Sequence, residues 1–249
     1  MNITYIICAA GAGTRMKEIS SKIPKPLIKI DGKTLIEISC ESLPLKGGDQ
    51  IILVTQKSFQ IKKIIGERLS SLYPNIHFMY HEIEELTRGQ AETALLAKPF
   101  VLYPKIAVFN CDTYFHSADL RLHMDDDSMD GIIPCSEEKG DGWSFCKVID
   151  GTSLPIVTSV EEKRRISHWC SAGFYYFREG ELFFELVTKN LGAKNTEMFI
   201  APFYNDLISL GKKIYMSPCD VFKAMGSVQQ IKDYFHYDVA EMKNFNAQN

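Results

Sequence analysis

Over residues 1–110 this chain alternates short apolar runs with stretches of helical spacing, and that alternation leaves few folds open. Residues 3–8, 50–54, 76–80 and 105–109 read as strands. Residues 34–42, 58–72 and 90–98 read as helices, the second with Ile61, Ile64, Ile65, Leu69 and Leu72 on one face and the third closed by Pro99. Strand–helix–strand repetition predicts a mostly parallel sheet with helices on both faces. Ligands of such sheets sit beyond the carboxyl ends of the strands.

The second half changes character. Residues 131–135, 143–149, 156–160 and 170–177 read as strands without intervening helices, separated by polar breaks such as Lys139-Gly140-Asp141-Gly142 and Asp150-Gly151. They predict antiparallel additions that form the far side of a cleft. Helices return over 181–188, 196–210 and 227–237. With no internal repeat, low-complexity tract or linker, 1–240 reads as one domain, with halves 1–130 and 131–240 and a tail 241–249.

A 45% hydrophobic and 24% charged composition is that of a soluble globular chain. A net charge of −3 gives no electrostatic case for a nucleic-acid partner. No apolar run approaches the ~18 residues of a membrane span, and no basic region precedes Ile3 as in a leader. Asn2-Ile3-Thr4 fits a glycosylation sequon but lies in the first strand. Seven scattered cysteines without a C-x-x-C pair point to reduced thiols and a cytoplasmic location. His77 and His81 fall in a strand, which argues against a zinc pair. Asp125-Asp126-Asp127 reads as a solvated loop. Nothing sets the oligomeric state.

The first strand runs into Ala9-Ala10-Gly11-Ala12-Gly13-Thr14-Arg15-Met16, and Pro24-Lys25-Pro26-Leu27 follows. Glycines let backbone N–H groups approach a ligand closely. Arg15 adds a planar fork that matches phosphate oxygens, and Lys25 adds a second cation on a stiff segment. Such a loop suits a triphosphate, although G-x-G also occurs in ordinary strand-to-helix turns. Met16 at the third glycine position argues against a dinucleotide fingerprint, and no Gly-Lys-Ser/Thr closes a P-loop. Asp112 ends the strand Val108-Phe109-Asn110-Cys111-Asp112 at the same sheet edge. It reads either as a ligand for Mg²⁺ or as the N-cap of a following helix.

The segment A-A-G-A-G-T-R-M-x7-P-K-P-L resembles the signature of the nucleotidyltransferases that activate sugar 1-phosphates and related esters. The resemblance runs from Ile3 to about Phe235. It implies a Rossmann-like (GT-A-type) α/β domain: a mixed, mostly parallel central sheet, helices on both faces and an antiparallel acceptor-side lobe. It implies nucleotide binding by Ala10, Gly11, Ala12, Gly13, Thr14, Arg15 and Lys25, and Mg²⁺ or Mn²⁺ on Asp112. Gly89-Gln90-Ala91-Glu92-Thr93-Ala94-Leu95 resembles the base-binding segment, with one residue more before Ala94. Glu84 stands near the base-reading position and would favour cytosine or guanine; it reads equally as part of a solvated face with Glu82 and Glu85.

On the acceptor side the resemblance implies Asn110, Glu162, Lys163, Gly173 and Glu197. Lys163 would neutralise the acceptor phosphate and Glu162 would accept from hydroxyls. Glu161–Arg165 also reads as a solvated charge cluster, and Glu197 also as part of a helix capping box. One departure stands out: Ala224, in Ala224-Met225-Gly226-Ser227, occupies the place of a second metal-binding Asp. A water, a substrate phosphate or the nearby Asp220 would then take that contact. The implied reaction transfers NMP from an NTP to a phosphorylated sugar or alcohol and releases pyrophosphate, with Arg15, Lys25, Asp112 and Lys163 carrying it. Such products feed capsule or lipopolysaccharide synthesis. A metal-dependent GT-A-type glycosyltransferase and a non-catalytic nucleotide-binding module are the other readings.

Overall fold

Burial on both sheet faces explains the continuous apolar runs 3–8, 50–54 and 105–109 of the first half. The computed structural model describes residues 1–16, 18–19, 23–149, 154–192 and 197–237. In chain order the strands are β1 (Thr4–Ala9), β2 (Lys29–Ile30), β3 (Lys33–Thr34), β4 (Gln50–Gln56), β5 (His77–Ile83), β6 (Ile106–Asn110) and β7 (Thr113–His116). Then come β8 (Gly131–Glu137), β9 (Ser144–Ile149), β10 (Ile156–Glu162), β11 (Trp169–Ser171), β12 (Phe174–Phe177), β13 (Ile214–Pro218) and β14 (Val221–Ala224). The helices are α1 (Leu35–Glu41), α2 (Ile61–Leu72), α3 (Gln90–Leu95), α4 (Leu120–Asp125), α5 (Gly180–Asn190), α6 (Phe203–Ser209) and α7 (Val228–Phe235).

The described strands form a ten-stranded mixed sheet in the order β11-β9-β10-β13-β8-β12-β6-β1-β4-β5. β5, β4, β1 and β6 are parallel, as the alternation predicts. β12 joins antiparallel between β6 and β8, so the second half extends the same sheet. Alternate residues of β1 feed opposite cores: Ile6 packs on the side of α3, α5 and α6, and Tyr5 and Ile7 on the side of α1, α2 and α4. Period-two alternation with both faces apolar is what a central strand needs. Helix α1 begins on a full capping box: Thr34 Oγ1 accepts from Glu37 N–H at 3.3 Å, and the Glu37 carboxylate accepts from Thr34 N–H at 2.8 Å.

A third apolar cluster sits away from the sheet. Met16, Ile19, Ile28, Ile30, Leu35 and Ile38 pack there with Met225, Val228 and Ile231. It ties α7 to the glycine loop and the proline segment.

Several expected elements differ. The run 170–177 is two strands, because Gly173 turns the chain at φ +75° between β11 and β12. The helix expected over 196–210 is α6, which starts after Pro202; Thr196 lies outside the described residues. So do the Asp150-Gly151 break and the tail 241–249. The pairs β2–β3 and β7–β14 form two small separate sheets and carried no periodic signal. No helix among the described residues is long and apolar enough to cross a membrane.

Candidate active site

Parallel pairing of β1 with β6 sets Cys8 opposite Asn110, so the glycine loop and Cys111-Asp112 leave the sheet side by side. They form one wall of a cleft of about 850 Å³. Ala10, Gly11, Ala12, Gly13, Thr14, Arg15, Lys25, Gly89, Gln90, Asn110, Asp112, Glu162, Lys163, Gly173 and Glu197 all line it, so fifteen expected site residues separated in sequence meet in one place.

The loop is held by its own chemistry. Gly13 adopts φ +61°, and a Cβ there would come within 2.9 Å of Lys25 Cβ. Glycine is thus required both by conformation and by the close pass of the lysine stem. The loop carbonyl of Ala10 accepts from Gln56 Nε2 at 2.8 Å, a support from β4 with no motif to announce it. Lys25 lies in a short 3₁₀ turn between its prolines and pairs with Asp112 Oδ2. Both side chains are mostly buried, at 12% and 18% exposure. Burial alone would raise the Asp112 pKa. The Lys25 charge and hydrogen bond, with the Arg15 guanidinium, outweigh it and hold the carboxyl below its ordinary value. The segment after Asp112 is strand β7 and not a helix, so the N-cap reading falls away.

Gly89 opens α3 against the backbone of Met198. A Cβ on Gly89 would come within 2.6 Å of Met198 O, and Ala91 N–H donates to that oxygen at 2.9 Å. Gln90 Nε2 donates to Asn110 Oδ1. Gly173 makes room for that amide, since a Cβ would meet Asn110 Nδ2 at 2.1 Å. Gly173→Ala therefore adds a steric clash to a left-handed backbone. It is expected to cost about 1–3 kcal/mol of stability and to break the Gln90–Asn110 contact. Thermal unfolding of the variant, with nucleotide affinity measured alongside, checks this; an unchanged melting temperature would mean that Asn110 has another place to go.

Glu162 ends β10. Burial pushes its carboxyl above the ordinary value, and Glu197 adds to this, while the Ser144 hydroxyl and Lys163 oppose it. Ser144 Oγ donates to Glu162 Oε2 and lies 3.2 Å from the Tyr175 hydroxyl. Lys163 turns the chain at φ +54°, and its N–H donates to Trp143 O at 2.9 Å. Its ammonium sits 3.3 Å from Glu197 Oε2 and 4.3 Å from the centre of the Phe199 ring. Glu197 precedes α6, whose N-cap is Pro202, so it is not a capping-box residue of that helix. Trp143, Ser144, Tyr175, Phe199 and Gln230 also line the cleft and were not among the expected site residues.

Two expectations fail on placement. Glu84 stays outside the cleft: its side chain is 75% exposed and pairs with Lys57 Nζ at 2.8 Å on the surface. The preference for cytosine or guanine built on it has no support. Asp220 also lies elsewhere. β14 pairs with β7 so that Ala224 faces Thr113, beside Asp112, while Val221 faces His116. Asp220 continues that far end, accepting from Ala118 N–H at 2.9 Å and lying 3.2 Å from His116 Nδ1.

The donor set suits a hard divalent cation. Magnesium takes oxygen ligands and is held by one or two carboxylates together with substrate phosphates. Asp112 is an ionised carboxylate at the cleft wall. Beside it, Gly226 leaves open a space that a Cβ would fill, bounded by Asp112 Oδ2 at 3.2 Å, Gln230 Oε1 at 2.9 Å and Arg15 Nη2 at 3.3 Å. Among the described residues no three His, Cys, Asp or Glu side chains gather as a metal cage, so the phosphates of a ligand would have to complete any such site.

The profile of the nucleotidyl transferase family matches residues 4–231. Bifunctional protein GlmU of Aliarcobacter butzleri is 28% identical over 238 residues, which cover 92% of this chain and 52% of that protein. Choline-phosphate cytidylyltransferase of Streptococcus pneumoniae is 30% identical over 94 residues, 34% of this chain and 41% of that one. The chain spans about half the length of the curated relatives it matches, or less. Among solved structures, a nucleoside-diphosphate-sugar pyrophosphorylase from Vibrio cholerae RC9 superposes with a TM-score of 0.77 at 26% identity, covering 94% of this chain and 100% of that one. With the family profile running from β1 into α7 and the glycine loop, Lys25 and Asp112 meeting at one sheet edge, this chain belongs to the nucleotidyl transferase family.

Proposed function

We propose that this protein transfers a nucleoside monophosphate from an NTP to the phosphate of a sugar 1-phosphate or similar ester, releasing pyrophosphate. The observation that carries the reading is the meeting of Arg15, Lys25 and Asp112 with Lys163, Glu162 and Glu197 in one cleft. An acceptor phosphate oxygen attacks the α-phosphorus of the NTP. The new P–O bond forms as the bond to the β-phosphate oxygen breaks, and the electron pair leaves with pyrophosphate. The nucleophile is already anionic, so the protein needs no covalent intermediate and no strong base. Its task is to bring two polyanions into line and to offset their repulsion.

In this reading residues 1–130 hold the nucleotide and 131–240 the acceptor. The loop from Ala10 to Thr14 offers backbone N–H groups to the triphosphate, with Arg15 and Lys25 as its cations. Gly89 and Gln90 lie where the base and ribose would sit. Lys163 meets the acceptor phosphate; Asn110, Gly173, Glu162 and Glu197 shape its pocket. Asp112 would hold Mg²⁺ or Mn²⁺, which when bound neutralises phosphate charge. The relatives' descriptions, one a choline-phosphate cytidylyltransferase and one a sugar pyrophosphorylase, support a phosphate ester as acceptor. A cytoplasmic enzyme supplying activated precursors for surface glycans fits this chemistry, and its seven cysteines are free thiols.

The test is a matrix of four NTPs against a panel of sugar 1-phosphates and alcohol phosphates, read as pyrophosphate release with Mg²⁺ present. Release that depends on the acceptor is expected for at least one pair. Silence across the matrix would overturn the reading, and consumption of a preformed nucleotide-sugar would replace it with glycosyl transfer.

A further inference from the structure

We propose that Gln230 supplies the neutral oxygen that works with Asp112 to hold the divalent cation on the bound nucleotide. The inference rests on the nucleotide-site reading above. It begins from Ala224, which is 2% exposed and offers no ligand at the place nearest Asp112 along β14. Asp220 is four residues back on an extended strand, roughly 13 Å away at 3.3 Å per residue.

Gln230 is the third residue of α7, and Ser227 caps that helix by accepting from Gln230 N–H at 3.3 Å. Ser-x-x-Gln is the sequence of a capping box, in which the glutamine side chain returns to the N-cap N–H. Here only half of the box forms. Gln230 Oε1 is shut off from solvent and has no hydrogen-bond partner among the described residues. It points at the space over Gly226 instead. A Cβ on Gly226 would lie 2.9 Å from Gln230 Oε1, 3.2 Å from Asp112 Oδ2 and 3.3 Å from Arg15 Nη2. Gly226 has no left-handed φ, so it is the space and not the backbone that calls for glycine.

A buried acceptor without a partner is costly, and native folds seldom keep one without a use. A carboxamide oxygen is a hard ligand of the kind that magnesium accepts. Substituting a neutral oxygen for the missing carboxylate leaves one protein charge on the cation rather than two. The competing use of the same oxygen is to accept from Arg15 and position its fork for phosphate.

The experiment titrates Mn²⁺, followed by its EPR signal, into protein saturated with α,β-methylene NTP analogues. Affinity for the same analogues is measured separately in EDTA. Gln230→Ala is expected to weaken Mn²⁺ binding by about tenfold or more, with analogue affinity in EDTA close to that of the native chain. Gln230→Glu, nearly isosteric, is expected to tighten Mn²⁺ binding and serves if the alanine variant does not fold. An unchanged Mn²⁺ affinity in both variants overturns the inference. Equal losses with and without metal also overturn it and assign Gln230 to Arg15. A native protein that binds no analogue under either condition overturns the nucleotide-site reading and this inference together.

Discussion

Lys25→Ala should lower kcat/KM for the nucleotide by about 30- to several-thousand-fold, the factor for losing one partner of a desolvated charge pair worth roughly 2–5 kcal/mol. The structure makes the loss twofold in kind. One cation leaves the proposed triphosphate site, and Asp112 loses the partner that offsets its burial. The fold should survive, since the prolines on either side and the buried Leu27 still anchor the segment. Steady-state kinetics at varied NTP, with thermal unfolding as control, measure this. Unchanged catalytic efficiency in a folded variant would remove Lys25 from the phosphate site. Arg15→Lys should keep charge but lose the fork, and recover only part of what Arg15→Ala loses.

Asp112→Asn should separate binding from turnover. The side chain keeps its size but not the charge a cation needs, and metal ions contribute several kcal/mol to such reactions, so turnover should fall at least about a hundredfold. Nucleotide binding without metal should move the other way. With no carboxylate to hold it, the Lys25 ammonium is free for phosphate, and affinity in EDTA should match or exceed that of the native chain. Isothermal titration in EDTA beside pyrophosphate release in Mg²⁺ reads both arms. Normal turnover would take Asp112 out of the chemistry; weakened metal-free binding would mean that it positions the loop.

The parallel half of the sheet was legible because β1, β4 and β6 are buried on both faces and its helices on one, and each leaves its own periodicity in the chain. The glycine loop was legible for a related reason: its conformation is set locally, by Gly13 and the prolines around Lys25. What escaped depends on contacts between distant segments. A mostly apolar stretch hides the turn at Gly173, where the amide of Asn110 from another strand packs too close for a Cβ. Glu84 follows Ile83, the buried end of β5, and no local pattern says that its side chain turns to Lys57 and away from the cleft. Asp220 looks close to Ala224 in sequence, but extended backbone carries it off. Gln230 carried a signal that points the wrong way, since Ser227-Val228-Gln229-Gln230 spells a cap.

The cluster that joins Met16, Ile19 and Ile28 to Val228 and Ile231 bears on how the protein is made. The glycine loop leaves the ribosome shortly before Ile19, Ile28 and Ile30, yet Val228 and Ile231, which complete its seat, arrive about two hundred residues later. At 5–20 residues per second, synthesis leaves the loop without these two partners for on the order of 10 to 40 seconds. A nascent chain stopped short of α7 holds the glycine loop without the part of this cluster that α7 supplies. The apolar cluster beside the loop is therefore completed late in synthesis, near the close of the matched region, although the motif it supports lies near that region's start.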